Sequence, residues 1–287
     1  MRDKILDLIE KEGELPPLPD IVIRLREMTQ SLKTNIKDIA KLIEIDPVLA
    51  WNIIKLSNSV YYSRSTTAIK TLPLAITKIG LNMLVKLVYS LKLCPLFTES
   101  TFLSNSQFWL HSLAVAIFAQ SLSGKIKLSQ EKQEITYLAG LMHDIGIMAF
   151  AYLIPIEYDT FLKDIEGKDE TLFDQEQEIF GIDHAELGAL YIDRWWDVDK
   201  HITHTVRNHH EINLDIGSKK DSTGLVSVAN KICNSQGITN GINYRGEEFD
   251  EDVLSELGLS TKEIENILND VQTSLEQAKE LVSHGLA

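Results

Sequence analysis

Cysteine is scarce in this chain of 287 residues, which contains only Cys94 and Cys233. The two match no Cys-x-x-Cys spacing, so the sequence favours neither a disulfide framework nor a cysteine metal site. Basic residues are also few, since 28 Lys and Arg stand against 42 Asp and Glu, for a formal net charge of -14. Because a duplex-binding protein needs a basic surface, nucleic acid is not expected as a partner.

Long apolar runs are missing as well. The longest uncharged apolar stretch, residues 145–156, is too short to span a bilayer. The first seven residues carry acidic side chains where a signal peptide would need an apolar run. We therefore expect a cytoplasmic protein that has no membrane partner.

Alternating strand patterns are absent, and apolar residues recur at helical spacing instead. Asp46-Pro47 and the capping box Ser260-Thr261-Lys262-Glu263 are clear helix starts. The predicted helices cover residues 2–11, a segment after Asp20, a segment from Asn35, then 48–56, 72–80, 81–93, 107–122, 131–154, 156–165, 183–196, 199–209, 223–233 and 261 to about 282. The pattern predicts an all-α protein with two helical subdomains, at 1–98 and 99–245, and an acidic helical extension at 246–287.

A histidine and a carboxylate lie side by side in the apolar run 138–148, as His143 and Asp144. An unpaired buried carboxylate costs at least several kcal/mol, so it is normally hydrogen-bonded, ion-paired or bound to a metal. Five more polar residues could join the pair: His111, His184, His209, His210 and Asn230. Six of the seven are imidazole or carboxylate, which iron, manganese, nickel and zinc accept as ligands. A metal-free, buried imidazole–carboxylate pair is the alternative.

The predicted helices allow these side chains to meet. Neighbours on a helix lie about 100° apart, so His143 and Asp144 can both reach one side of a cavity, with Asp144 placed to bridge two ions. His209 and His210 fall where a predicted helix ends, and the turn there can aim both rings inward. His201 and His204 fit no such pattern, and we expect them at the surface or supporting the ligands.

The order of these residues resembles the metal ligands of the HD superfamily of metal-dependent phosphohydrolases, particularly its HD-GYP branch. Three further segments resemble the HDOD family, the HD-related output domain of bacterial signalling proteins: Leu15-Pro16-Pro17-Leu18-Pro19, Ile45-Asp46-Pro47-Val48-Leu49-Ala50 and Lys55-Leu56-Ser57-Asn58-Ser59. The resemblance covers roughly residues 14–235. It implies that the second subdomain is an HD-type helical bundle holding one or two divalent transition metal ions. One ion would take His111, His143, Asp144 and Asn230, and the other Asp144, His184, His209 and His210.

Three departures from the hydrolase pattern argue against catalysis. Asn230 stands where the hydrolases have Asp, which replaces an anionic ligand by a neutral amide. Ile147 stands where the HD-GYP motif reads His-Asp-Ile-Gly-Lys, so a cation that could hold phosphate is missing. The residues after His209-His210-Glu211 contain no Gly-Tyr-Pro. Hydrolysis of cyclic dinucleotides is therefore disfavoured.

Two functions follow from the resemblance. The first is a bacterial regulatory module without robust catalysis, whose metal site is structural or sensory and whose helical surface recruits a protein signalling partner. The second is a metal-dependent phosphohydrolase acting on a nucleotide or small phosphoester, with Asp144 as the catalytic bridging ligand. A redox use of a di-iron site also remains open.

Overall fold

Helices are the only regular secondary structure in the part of the chain that the computed structural model describes. That part comprises residues 1–11, 19–31, 34–58, 69–81, 84–85, 88, 102–196, 198–211, 220–242, 254 and 257–285. The absence of strands among these residues confirms the predicted all-α class.

The described helices are, in chain order, α1 Arg2–Lys11, α2 Asp20–Gln30, α3 Ile36–Glu44, α4 Pro47–Ser57, α5 Leu72–Ile79, α6 Asn105–Lys125, α7 Gln130–Met142, α8 Ile145–Leu153, α9 Pro155–Asp164, α10 Leu172–Phe180, α11 His184–Trp195, α12 Lys200–Asn208, α13 Ser222–Ser235 and α14 Thr261–Gly285. Most begin and end within a few residues of the predicted bounds. The predicted helix at 81–93 falls largely outside the described residues.

The chain forms two compact units, and the smaller one contains Leu18–Leu96 and Leu268–Ala287. Within it α2 packs on α3, and α3, α4 and α5 pack on one another. Side-chain caps start two of these helices: Asn35 accepts from the amides of Lys37 and Asp38, and Asp46 accepts from the amide of Leu49 at 2.9 Å. The predicted Asp46-Pro47 helix start is therefore present.

The larger unit contains Met1–Pro17 and Phe97–Ile267 and holds every candidate ligand. Its core is formed by α6, α7, α8, α11, α12 and α13. Two close crossings set their spacing. A Cβ on Gly140 would lie 2.9 Å from the Cα of Ala116, and one on Gly188 would lie 2.9 Å from the nitrogen of Gly146. These glycines let α7 approach α6, and let α11 approach α8.

Helix α1 belongs to this larger unit, where it contacts α8 and buries Ile5 and Ile9. The Arg2 guanidinium donates to both oxygens of the Glu186 carboxylate, at 2.9 and 2.6 Å, and to the carbonyl of Gly181 at 2.7 Å. The packing thus places α1 with the histidine-bearing helices. The segmentation into 1–98, 99–245 and 246–287 stays a prediction.

The structure differs from the predicted helices at the His143-Asp144 pair. A single helix was predicted over 131–154, but α7 ends at Met142 and α8 begins at Ile145. Asp144 has φ -92° and ψ 9°, outside helical values, and its carbonyl accepts a tight turn bond from the amide of Ile147 at 2.9 Å. The two polar residues therefore occupy a turn between helices, and the 100° argument does not describe their placement.

Among the described residues, Gln130–Leu153 has the length and hydropathy of a membrane-spanning helix. However, 83% of its most apolar window is buried inside the protein. This stretch corresponds to α7, the turn and α8 in the core of the larger unit. Such burial is what a core segment of a helical protein shows.

Candidate metal centre

The Asp144 carboxylate lies at the middle of a ring of histidines. Its Oδ1 is 3.3 Å from Nε2 of His143, 3.5 Å from Nε2 of His209 and 3.6 Å from Nε2 of His184. Its Oδ2 is 3.6 Å from Nε2 of His111. All five side chains are at most 3% exposed, so four imidazoles and one carboxylate share a buried space.

The other nitrogen of each ring, Nδ1, has a hydrogen-bond acceptor that faces away from Asp144. The acceptors are the carbonyl of Ile238 for His111 (2.8 Å), that of Gly140 for His143 (2.7 Å), that of Val206 for His209 (2.7 Å), and the carboxylate of Glu176 for His184 (2.6 Å). A carbonyl or carboxylate oxygen only accepts, so Nδ1 carries the proton in each ring. In the neutral ring Nε2 then presents its lone pair to the centre.

Three of these nitrogens have no hydrogen-bond partner: Nε2 of His111, of His143 and of His209. An unsatisfied buried polar group costs about 1–3 kcal/mol, so three converging on one carboxylate need an explanation. One or two cations would satisfy these nitrogens, and the Asp144 carboxylate would offset part of their charge. The residues present therefore fit a metal ion, and the outward bonds are those that metal-bound histidines make.

Within the described part of the chain, two groups of ligand atoms lie close enough to hold an ion, with all atoms of each group within 4.8 Å of one another. One group is His111, His143 and Asp144, and the other is His184, His209 and His210. His210 is half-buried, stacks on the ring of Phe173 at 4.5 Å, and brings its Nε2 within 2.8 Å of Nε2 of His184. Asn230 is 5% exposed on α13 and interacts with His111.

Burial and nearby charges shift the pKa values of the buried histidines in different directions. Burial lowers the pKa of His111 to about 4 although Asp144 opposes it, and burial likewise lowers the pKa of His209. Burial would also lower the pKa of His184, but the charge and hydrogen bond of Glu176, together with the charges of Asp144 and Asp183, raise that pKa to about 9. Burial alone would raise the pKa of Asp144, yet His143, His209 and His184 together hold it well below its usual range. His111 and His209 are thus neutral near pH 7 and Asp144 is ionised.

The sequence profile of the HDOD domain matches residues 15–212, well over half of the chain. This protein belongs to the HDOD family. A solved HDOD domain protein of unknown function from Geobacter sulfurreducens is 24% identical with a TM-score of 0.73, over 98% of this chain and 93% of that one. The profile match confirms the predicted membership of the HDOD family.

Other proteins similar to this HDOD protein include a solved structure and an uncharacterised relative. A solved protein from Shewanella amazonensis, provisionally named a phosphohydrolase, is 20% identical with a TM-score of 0.71, over 97% of this chain and 98% of that chain. An uncharacterised protein of Treponema pallidum is 25% identical over 224 residues, which are 78% of this chain and 43% of that protein. The chain thus spans less than half of that relative. At these identities the two solved structures establish the fold.

Two residues around the centre were not foreseen from the sequence. Glu176 lies on α10, a helix that the periodicity did not predict, although the Thr171 side chain caps its start and Gly181 ends it with φ 73°. Those two residues are the signal that could have located it. Asn240 follows α13 and donates from Nδ2 to Oδ2 of Asp144 at 3.0 Å. No local pattern marks Asn240, because its role depends on a contact distant in sequence.

His201 and His204 lie apart from the centre, on the exposed face of α12. The side chain of His201 is 77% exposed and its Nδ1 lies 2.8 Å from Oδ1 of Asp199. His204 contacts Asn208 one turn later. Both belong to the surface, one of the two placements that the sequence allowed.

Proposed function

We propose that this HDOD protein is a cytoplasmic signal-transduction module whose buried centre holds a divalent transition metal in a structural or sensory role. The observation that carries the proposal is the convergence of three buried, unpartnered Nε2 atoms, those of His111, His143 and His209, on the Asp144 carboxylate. Buried polar atoms normally have a hydrogen-bond partner, so three such nitrogens around one buried carboxylate support a bound cation.

The ligands would divide into two positions that share Asp144. One ion would be held by His111, His143 and Asp144 with the amide of Asn230, and a second by Asp144, His184, His209 and His210. Iron, manganese, nickel or zinc each suits such imidazole and carboxylate ligands. When bound, a divalent ion supplies positive charge and Lewis acidity. Here it would offset the charge of Asp144 and link α6, α11 and α13 to the turn at 143–144 and to the end of α12.

The burial of the centre favours a structural or sensory role over catalysis. Catalytic metal sites keep a ligand position open to substrate. Here His111, His143, Asp144, His184 and His209 are each at most 3% exposed. The side chain of Ile147, where the HD-GYP motif has a lysine, is fully buried and offers no charge to a phosphate. These features support a module that responds to metal and acts through a protein partner.

A metal-dependent phosphohydrolase acting on a nucleotide or small phosphoester is the second candidate. It is favoured by His210, which is half-buried and gives the His184 side of the centre its most exposed ligand. In that function Asp144 would be the catalytic residue that holds both ions. Asn230 would serve as a weaker oxygen ligand. In the reaction, water would attack phosphorus and the alcohol of the phosphoester would leave.

Hydrolysis by protein of known metal content distinguishes the two candidates. The wild type and Asp144→Ala would be incubated with excess manganese, iron or nickel, their bound metal measured, and both assayed with nitrophenyl phosphoesters and nucleotides. We expect equal, background rates for both proteins. Turnover that requires metal and disappears in Asp144→Ala would contradict the regulatory proposal and establish the hydrolase.

A further inference from the structure

Glu176 is a buried carboxylate that touches a candidate ligand without being one. Its side chain is fully buried on α10, and a single oxygen, Oε2, accepts from both the backbone amide of His184 at 2.7 Å and Nδ1 of the same residue at 2.6 Å. Its other oxygen, Oε1, accepts from the hydroxyl of Tyr158 at 2.6 Å. Three hydrogen bonds therefore satisfy a charge that would otherwise be costly to bury.

The chain between Glu176 and His184 holds this contact in place. Helix α10 ends at Phe180, and Gly181 turns the chain with φ 73°, a conformation that favours glycine. Asp183 then caps α11 by accepting from the amide of Glu186 at 2.7 Å. His184 is the first residue of α11, so Glu176 lies at a helix N-terminus, where a negative charge is stabilised.

His184 differs from the other buried histidines in what lies behind it. His111, His143 and His209 donate from Nδ1 to neutral backbone carbonyls, whereas His184 donates to a carboxylate. A carboxylate behind an imidazole fixes the ring and makes its Nε2 a stronger electron donor to a metal. At the other proposed position, Asn230, which interacts with His111, offers only a neutral amide.

We propose that Glu176 is a positioning residue for His184, and that it makes the His184–His209–His210 position the tighter of the two metal positions. The inference rests on the proposed metal centre and adds which position fills first. The first equivalent of metal binds beside His184, and the second binds at His111, His143 and Asp144.

Calorimetric titration of the chelator-treated full chain with Zn²⁺ tests the inference. Glu176→Gln keeps an oxygen that can accept from His184 but removes the charge. Its first equivalent of Zn²⁺ should bind about 10- to 100-fold more weakly than in the wild type. Tyr158→Phe is the matched control, because it deletes one hydrogen bond of the same cluster and keeps the ring that stacks on Phe150 at 4.8 Å. It should lower thermal stability while leaving Zn²⁺ affinity within about threefold of the wild type.

Two ligand variants test the order of filling, including the case in which Glu176→Gln does not fold. His184→Ala should abolish the stronger equivalent, and His143→Ala should abolish the weaker one. Wild type that binds no Zn²⁺ would remove the proposed metal centre itself. If the wild type binds Zn²⁺, any of three results would overturn the inference and leave the proposed metal centre in place. They are equal affinity in the wild type and Glu176→Gln, an equal loss of affinity in Tyr158→Phe, and loss of the stronger equivalent in His143→Ala.

Discussion

A Cβ atom on Gly146 would lie 1.8 Å from the backbone carbonyl oxygen of His184. The backbone of α8 thus touches the start of α11 with no room for a side chain between them. Asp144 precedes Gly146 by two residues, so this close backbone contact adjoins the approach of His184 to the Asp144 carboxylate. Since the obstructing atom is backbone, a rotamer change cannot relieve the overlap.

Gly146→Ala should therefore lower the free energy of unfolding by about 3 kcal/mol or more, because two helices must move apart. The matched control is Gly124→Ala within α6, where the nearest atom to a new Cβ is the Gln133 side-chain oxygen at 3.7 Å. The control should change stability by less than about 1 kcal/mol, and in the stabilising direction, because alanine is the better helix former. Urea denaturation of both variants in chelator measures the difference, and equal stabilities would contradict the close-packing account.

Asn230→Asp restores the anionic ligand of the hydrolase pattern. Asn230 is 5% exposed and its Oδ1 accepts from Nδ2 of Asn234 at 2.9 Å. In the metal-free protein the new buried charge should lower the free energy of unfolding by about 2 kcal/mol. With Mn²⁺ in excess the loss should be reversed, and the weaker equivalent should bind about tenfold more tightly, a gain of about 1.4 kcal/mol. Denaturation with and without Mn²⁺ checks both effects, and a loss that Mn²⁺ leaves unchanged would show that position 230 does not face a metal.

Ile147→Lys introduces the lysine that the HD-GYP motif carries. The Ile147 side chain is fully buried, and a buried ammonium without a partner is costly. We expect a loss of at least about 3 kcal/mol in the free energy of unfolding, against about 1 kcal/mol for the control Ile147→Val. Thermal and urea denaturation give these values. A stable lysine variant that gains affinity for inorganic phosphate would mean that this face of α8 opens to the centre.

The pH dependence of stability in the metal-free protein follows from two buried histidines. The pKa of His111 is lowered from 6.5 to about 4, so between those values the unfolded chain binds more protons and stability rises with pH. The pKa of His184 is raised from 6.5 to about 9, so between those values the native state binds more protons and stability falls as pH rises. These two groups favour a stability maximum near pH 6.5 in chelator.

Glu176→Gln should flatten the alkaline fall, because Glu176 contributes most to raising the pKa of His184 against the effect of burial. His201→Gln removes an exposed imidazole and should keep both slopes. Urea denaturation across pH 4 to 9 measures them. An alkaline slope that survives in Glu176→Gln would show that another group produces it.

Local signals located most helices but not the break between α7 and α8. Asp46 caps α4, and Ser260 and Glu263 form their predicted reciprocal bonds at the start of α14. Each of these caps joins residues three positions apart, so the local sequence is enough to predict it. The turn at Asp144 sits inside an apolar run, and the packing of Gly146 against His184 could not be inferred from helical periodicity.

The inner residues of the candidate site could be predicted from the sequence, but the residues that hydrogen-bond to them could not. Histidines and a carboxylate in a family order indicated the inner residues. Glu176 and Asn240 act through Nδ1 of His184 and Oδ2 of Asp144, and the second contact spans 96 residues of sequence. Such partners depend on the completed fold, so no spacing rule could name them. Whether the inner residues bind metal stays a prediction.

Metal content is the most direct test of the central claim. The full chain, purified without chelator or metal-affinity resin, would be subjected to elemental analysis beside Asp144→Ala, His184→Ala and the exposed-histidine control His201→Ala, each shown to be helical by circular dichroism. The account predicts one or two equivalents of iron, manganese, nickel or zinc in the wild type and the control, with a marked loss in the two centre variants. A folded wild type without metal, or equal metal in all four proteins, would contradict it.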